Sequence, residues 1–358
     1  MSTVALVALA RPTFDLTCAQ ANFDSARSLL TELGANVVGP TELVMTVEDL
    51  AAIKLPAADL HILFMASFAD ASPAVELFGK VKGPILGWSM REPGEVGERL
   101  KLNSMCGVNL AAHALMNVGQ SIRHIHGNAD EAKVRSAIKD ALAGKLPEAT
   151  APKSIVGEFA PAGEVEKAFA WLKGKKIGAV GDAPIGFTPC VFDGQQLNKY
   201  FGLDVRQITI SDAFGRIAEV KEEARELAYA NAVAAQPSLS SVNVAEAKKV
   251  YGVEVALDTW REEESLDAIA IRCWPEFPTD MGACICSSLG RLSDRGTVTT
   301  CERDVLGAVT MMVCESLGSD ENYLVDIVDL DAAQGLVRLW HCGSAATKLA
   351  ADPKNATQ

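Results

Sequence analysis

The sequence predicts an α/β protein with two tandem Rossmann-like domains on parallel sheets, followed by a smaller mixed, β-rich C-terminal domain. Short apolar runs typical of buried strands alternate with segments of helical spacing through the first two thirds of the chain. After about residue 266 the pattern changes, because two strand-like runs follow one another across a short loop. We therefore predict domains at residues 1–150, 151–265 and 266–358.

Length and composition fit several globular domains. The 358 residues exceed one ordinary domain, and 49% of them are hydrophobic. A net charge of −13 argues against nucleic acid as a partner, since phosphate binding needs clustered Lys and Arg. No apolar run reaches the roughly 18–20 residues of a membrane span, and the start of the chain lacks a signal-peptide pattern. We expect a cytoplasmic protein whose nine cysteines stay reduced.

Alternating elements are predicted in the first domain, and a linker rich in Pro, Ala and Gly follows at Lys145–Gly163. The predicted strands are Val4–Leu9, Val37–Val38, Leu60–Met65 and Pro84–Gly87, and the helices are Ala21–Leu33 and Val108–Met116. The second domain repeats the pattern with strands Lys176–Val180 and Val205–Ile210 and a helix at Ile217–Ala230. Its glycine loop at residues 178–186 does not match G-x-G-x-x-G, which favours a tight turn over nucleotide binding.

The third domain is predicted to contain a carboxylate and an imidazole on facing strands. A strand at Ala268–Cys273 and a helix at Cys301–Leu317 precede two further strands, Tyr323–Leu330 and Leu336–Cys342. If a four-residue loop at residues 332–335 joins the last two, Asp326 lies opposite His341, with Cβ atoms about 5 Å apart. That spacing suits two ligands of one divalent ion, and a buried ion pair is the alternative. A one-residue shift in register would remove this juxtaposition.

Glu302 is a third candidate ligand, just ahead of the predicted helix in Cys301-Glu302-Arg303-Asp304. The alternative is a carboxylate that stabilises the start of that helix. His124 and His126 share one face of a possible strand, but no third ligand is evident nearby, so a metal site there is not favoured. The spacing of the cysteines lacks paired C-x-x-C motifs and favours buried thiols over zinc.

Short motifs along nearly the whole chain resemble the L-fucose/L-arabinose isomerase family. Their order and spacing support the resemblance, because each one alone is short. The segments are Ala10–Asp15, Gly87–Ser89 with Arg91–Gly94, Gly178–Asp193, Phe201–Asp212, Thr300–Ala308, Val325–Val328 and Leu339–Ala346. The resemblance implies a metal-dependent aldose–ketose isomerase acting on a small free sugar, with manganese or another divalent cation. It also implies a homo-oligomer, trimeric or hexameric.

Carried over to this chain, the family pattern makes Glu302 and Asp326 the metal-binding acid/base pair. His341 matches a metal-binding histidine of the arabinose branch. The family continues beyond this block with further site residues, so the sequence, ending at Gln358, is expected to be a short branch or a fragment.

Three further residues are predicted to bind the substrate. Arg11 follows a strand end, where α/β sheets place ligands, although a surface salt bridge is the alternative. Trp88 is a candidate for stacking on a sugar, and Trp274 ends a strand that faces the predicted site; core packing is the alternative for each. In the resembling enzymes the first domain reaches a neighbouring subunit's site, so Arg11 or Trp88 are expected to act across an interface.

Two other functions fit the same sequence. A non-catalytic sugar-binding or regulatory protein with two Rossmann-like lobes would bind sugar tightly without depending on metal. A metal-dependent lyase using the same enediolate chemistry would release cleavage products.

Overall fold

Two parallel sheets, each in its own unit of the chain, organise the fold. The computed structural model describes residues 1–149, 162–341 and 343–355. The described residues divide into one unit of residues 1–149, 185–188 and 326–340, and a second of residues 162–184, 189–325, 341 and 343–355. The predicted linker at Lys145–Gly163 lies mostly outside the described residues. Among those residues, no helix has the length and apolar character needed to cross a membrane.

The first unit contains a five-stranded parallel sheet with helices along it. Its strands are β1 (Thr3–Leu9), β2 (Asn36–Val38), β3 (Leu60–Met65), β4 (Ile85–Ser89) and β5 (Ile122–His126). Its helices are α1 (Leu16–Glu32), α2 (Val47–Ala52), α3 (Ser72–Phe78), α4 (Ser104–Asn117) and α5 (Ala132–Leu142). The strand order is β2-β1-β3-β4-β5, and all neighbours are parallel.

Burial explains why these strands form where the apolar runs lie. Every residue of β3 is buried, and so is β1 after its first residue, since apolar side chains on both faces pack against helices. Helix α1 begins earlier than predicted because the Asp15 carboxylate accepts a hydrogen bond from the Cys18 N–H and caps it.

The second unit contains a four-stranded parallel sheet. Its elements in chain order are α6 (Ala162–Leu172), β6 (Lys176–Val180), α7 (Gly194–Phe201), β7 (Asp204–Ile208), α8 (Ile210–Glu219), α9 (Glu222–Ala235), α10 (Val244–Glu264), β8 (Ala268–Ile271), α11 (Cys286–Asp294), β9 (Val298–Cys301) and α12 (Val305–Ser316). The strand order is β7-β6-β8-β9. Strands on both sides of residue 265 therefore belong to one sheet, and the boundary predicted there falls inside this unit.

The single helix predicted at Ile217–Ala230 is wrong, because two helices, α8 and α9, cover this stretch. Thr209 and Asp212 form a reciprocal capping box that starts α8. Val220 then adopts an extended conformation and ends it. The glycine loop after β6 forms a tight turn as predicted, with Gly181 at φ +77°.

An antiparallel hairpin completes the first unit. Strands β10 (Asp326–Asp331) and β11 (Leu336–Trp340) pair, and Asp331 lies opposite Leu336, so the predicted four-residue loop is confirmed. Two parallel sheets and this small antiparallel sheet confirm the predicted fold class.

Candidate functional site

Glu302 lies at the carboxyl edge of the second sheet, between β9 and α12. The carboxylate that caps α12 belongs to Asp304, which accepts a hydrogen bond from the Gly307 N–H at 2.7 Å. Helix capping, the alternative considered for Glu302, is therefore the role of Asp304. Ligands of parallel α/β sheets bind at this edge, so Glu302 occupies a position suited to chemistry.

His341 packs against the end of β9 in the same unit. Its Nε2 lies 3.2 Å from Cys301 Sγ, and its Nδ1 lies 3.1 Å from Ser344 Oγ. The hydrogen bond from the Cys273 thiol lowers the pKa of the buried Cys301 thiol, and the hydrogen bond with His341 lowers it further. Both ring nitrogens of His341 thus have hydrogen-bond partners in this structure. Of the cysteines predicted to be buried thiols, Cys301 is buried, Cys286 and Cys314 are partly buried, and the prediction is wrong for the exposed Cys284; Cys342 lies outside the described residues.

The predicted pairing of Asp326 with His341 is wrong. Asp326 pairs with Trp340, because a bulge between Ile327 and Asp329 shifts the register of the hairpin by one residue. Asp326 belongs to the first unit, where its Oδ2 accepts a hydrogen bond from Asn103 Nδ2 at 2.9 Å.

The three predicted metal ligands are divided between the units. Asp326 lies in the first unit, and Glu302 and His341 lie in the second. Among the described residues, no group of three or more His, Cys, Asp and Glu side chains is placed to hold a metal ion. Two carboxylates and an imidazole are donors that suit a divalent cation. Neither unit alone contains all three of these residues. A metal site at these three residues stays a prediction.

Arg303 was not singled out from the sequence, yet it is the most unusual side chain at this edge. It is only 6% exposed, and its backbone φ is +62°. Its guanidinium carbon lies 4.8 Å from the centre of the Phe192 ring. Burial lowers the pKa of Arg303, while the negative charge of Asp182 opposes that shift.

The three predicted substrate-binding residues have different environments. Arg11 follows β1 as expected, with its guanidinium 5.7 Å from the centre of the Phe68 ring. Trp88 is fully buried in the first unit, edge-on to Phe64, and its indole N–H donates to the Gly127 carbonyl at 2.9 Å. Trp88 is therefore a core residue, which was the alternative considered for it. Trp274 is partly buried and packs against the core of the second unit.

A series of hydrogen-bonded polar side chains lies at the carboxyl edge of the first sheet. Ser89 Oγ is 2.8 Å from both His124 Nε2 and His126 Nδ1, so the two imidazoles share a strand face as predicted. His126 Nε2 is 2.6 Å from Asp329 Oδ1, and Arg91 also bonds this oxygen at 2.9 Å. Asp329 was not predictable as part of this cluster, because the contact joins residues 203 positions apart.

The partly buried His124 side chain has a strongly perturbed pKa. Desolvation, with repulsion from His126, lowers the pKa of His124 to about 4. His124 is therefore neutral at physiological pH. On the other side of this cluster, the Arg91 guanidinium also bonds Glu131 at 3.1 Å, so it links two carboxylates.

Comparison with known proteins gives the class. No family model matches the chain. It is 31% identical to a sulfoquinovose isomerase of Clostridium sp. (strain MSTE9) over 351 residues, covering 97% of this chain and 73% of the relative. It is 30% identical to the sulfoquinovose isomerase of Alkalicoccus urumqiensis over 360 residues, covering 99% of this chain and 76% of the relative. The sulfoquinovose isomerase of Priestia aryabhattai is 29% identical with the same coverage.

The chain therefore belongs to the sulfoquinovose isomerase family. The class predicted from the sequence, a sugar isomerase, is confirmed at this level. The narrower resemblance to fucose and arabinose isomerases is not, because the relatives have a different named substrate.

Proposed function

We propose that this protein is an aldose–ketose isomerase that converts sulfoquinovose, or a closely related sugar, into its ketose. Family membership over at least 97% of the chain is the observation that supports this most strongly. The position of Glu302 at the carboxyl edge of the second sheet, outside the helix cap, agrees with it.

The chemistry requires two proton movements. Aldose–ketose conversion transfers a proton between C1 and C2 through an enediolate, while a second proton moves between the two oxygens. One carboxylate removes the carbon proton and returns it to the neighbouring carbon, and a second group serves the hydroxyl. Glu302 and Asp326 are our candidates for these tasks. Manganese or another divalent cation is proposed from the family resemblance alone, and a cytoplasmic homo-oligomer from the resemblance and the composition.

The test follows conversion directly. The protein is stripped of metal, manganese is added back, and ketose formation is measured over sulfoquinovose, glucose, L-fucose and L-arabinose. Glu302→Gln is the test variant, and the exposed Glu219→Gln in the same unit is its control. We expect manganese-dependent turnover that Glu302→Gln abolishes and Glu219→Gln preserves.

Two results would contradict the proposal. Turnover by Glu302→Gln at the wild-type rate would remove Glu302 from the chemistry. Tight sugar binding by the wild-type protein with no turnover, with or without metal, would favour the sugar-binding alternative over an enzyme.

A further inference from the structure

Arg303 is a buried cation for which the described part of the chain supplies no anion. It is 6% exposed, and its Nε makes no hydrogen bond. No carboxylate of the described residues forms an ion pair with its guanidinium. Burying an unpaired charge is costly, so such a residue needs a reason beyond packing.

The neighbours of Arg303 do not neutralise it. The guanidinium stacks near the Phe192 ring, whose face attracts a cation but carries no charge. Asp182 exerts an attraction only from beyond ion-pair distance. The nearby Cys190 is neutral, because burial raises the pKa of its thiol to about 12.

The backbone at this residue is also unusual. Arg303 has φ +62°, in the left-handed region that glycine adopts at little cost. Its N–H donates to the Ile271 carbonyl at 2.8 Å, which holds it at the end of β8. A strained arginine where glycine would fit more easily indicates that the side chain itself is needed.

The position of Arg303 indicates a ligand of negative charge. It follows directly after Glu302, at the carboxyl edge of the four-stranded sheet of the second unit. A guanidinium presents several N–H donors in a plane, and these match the oxygens of a sulfonate as they match those of a phosphate or carboxylate.

We infer that Arg303 binds the sulfonate group of the sugar and so determines the specificity of the site. This rests on the proposed function and adds the residue that distinguishes a sulfonated sugar from a neutral one. A neutral sugar of the same shape leaves the buried guanidinium unpaired, and that loss provides the discrimination.

Thermal unfolding of the full chain tests the inference without relying on turnover. The wild type, Arg303→Met, Arg303→Lys and the control Arg216→Gln are compared; Arg216 pairs with Glu263 on the surface. Each is measured alone, with sulfoquinovose, with the neutral 6-deoxyglucose, and with sodium sulfate against sodium chloride of equal ionic strength.

We expect sulfoquinovose to raise the unfolding temperature of the wild type and of Arg216→Gln, and not that of Arg303→Met. Without ligand, Arg303→Met should be at least as stable as the wild type, because it removes a buried unpaired charge. Arg303→Lys should respond weakly, since it keeps the charge and loses the planar array of donors. The KM for sulfoquinovose should rise roughly 10- to 100-fold in Arg303→Met.

Several outcomes would overturn the inference. A less stable Arg303→Met that still responds to sulfoquinovose would make Arg303 a structural cation. An equal response to 6-deoxyglucose would show that the sulfonate is not recognised. A sulfate response that the wild type shows and Arg303→Met lacks would assign the site to a free anion, because the general stabilisation by excluded sulfate is common to both. Turnover of sulfoquinovose with unchanged KM in Arg303→Met defeats this inference only, whereas a wild type without turnover on any sugar defeats the proposed function.

Discussion

His126 and Asp329 lie 2.6 Å apart, Nε2 to Oδ1, and connect the last strand of the first sheet to the β10–β11 hairpin. Arg91 reaches the same carboxylate oxygen at 2.9 Å. Burial alone would raise the pKa of Asp329, but the hydrogen bonds from His126 and Arg91 lower it to about 2. This carboxylate therefore holds in place the hairpin that contains Asp326.

Replacing Asp329 should destabilise the protein. In Asp329→Asn, Arg91 and His126 lose a charged acceptor, and we expect the free energy of unfolding to fall by about 1–3 kcal/mol. The stabilisation is present above the unfolded pKa of 3.8 and is lost as the pH falls through about 2, because the folded-state pKa is depressed. Urea unfolding at pH 7 measures the difference, with the exposed Asp320→Asn as control. Equal midpoints for both variants would show that the contact contributes nothing.

His124 should make stability depend on pH in the mildly acidic range. Its folded-state pKa of about 4 lies below the unfolded value of 6.5, so the unfolded chain gains a proton first as the pH falls. Stability is complete above pH 6.5 and decreases toward pH 4, by up to about 3 kcal/mol. Urea midpoints at pH 7.5 and 4.5 should converge in His124→Gln. The exposed His113→Gln should keep the wild-type dependence, and the same loss in both variants would argue against a role of His124.

Substitutions of Glu302 and Asp304 should affect different properties, because Glu302 is proposed to act in catalysis and Asp304 caps α12. Asp304→Ala removes the cap of α12 and should lower the free energy of unfolding by about 1 kcal/mol. Glu302→Gln should leave stability nearly unchanged and lower kcat at least roughly 100-fold. Urea unfolding and steady-state kinetics on the same preparations give both numbers. The reverse pattern would make Glu302 a structural carboxylate.

Trp88 should behave as a core residue. Trp88→Phe loses the hydrogen bond to the Gly127 carbonyl, and we expect a loss of about 1–3 kcal/mol in the free energy of unfolding. The exposed Trp171→Phe serves as the control, because it removes an indole at the surface. A large rise in KM for Trp88→Phe, with unchanged stability, would return Trp88 to the sugar-binding residues.

Most strands of the two parallel sheets were predictable because their signal is local, but β9 was not predicted, and its last residue, Cys301, was assigned to the following helix. The apolar run at Leu60–Met65 matches β3, and Lys176–Val180 matches β6, since strands buried on both faces need nearly continuous apolar residues. The bulge between Ile327 and Asp329 was not predictable, because no residue there shows which strand gains the extra position.

The candidate site was predictable only in part. The motif around Glu302 indicated a functional carboxylate, but the sequence does not say which of Glu302 and Asp304 caps the helix. The burial of Arg303 was also hidden, since an arginine between two acidic residues is typical of a solvated helix start. Its environment follows from the loop after β6, which approaches β9 only in the folded chain.

The order in which the chain is synthesised has a consequence for the first unit. Asp329 and the rest of its hairpin are translated after nearly all of the second unit, yet they complete the first. Until residues 326–340 leave the ribosome, Arg91 and His126 lack their shared acceptor. The first unit therefore cannot form its complete set of contacts before most of the second unit has been synthesised. A fragment ending at residue 149 would contain all five strands of the first sheet but not residues 326–340, and would therefore lack this closing contact.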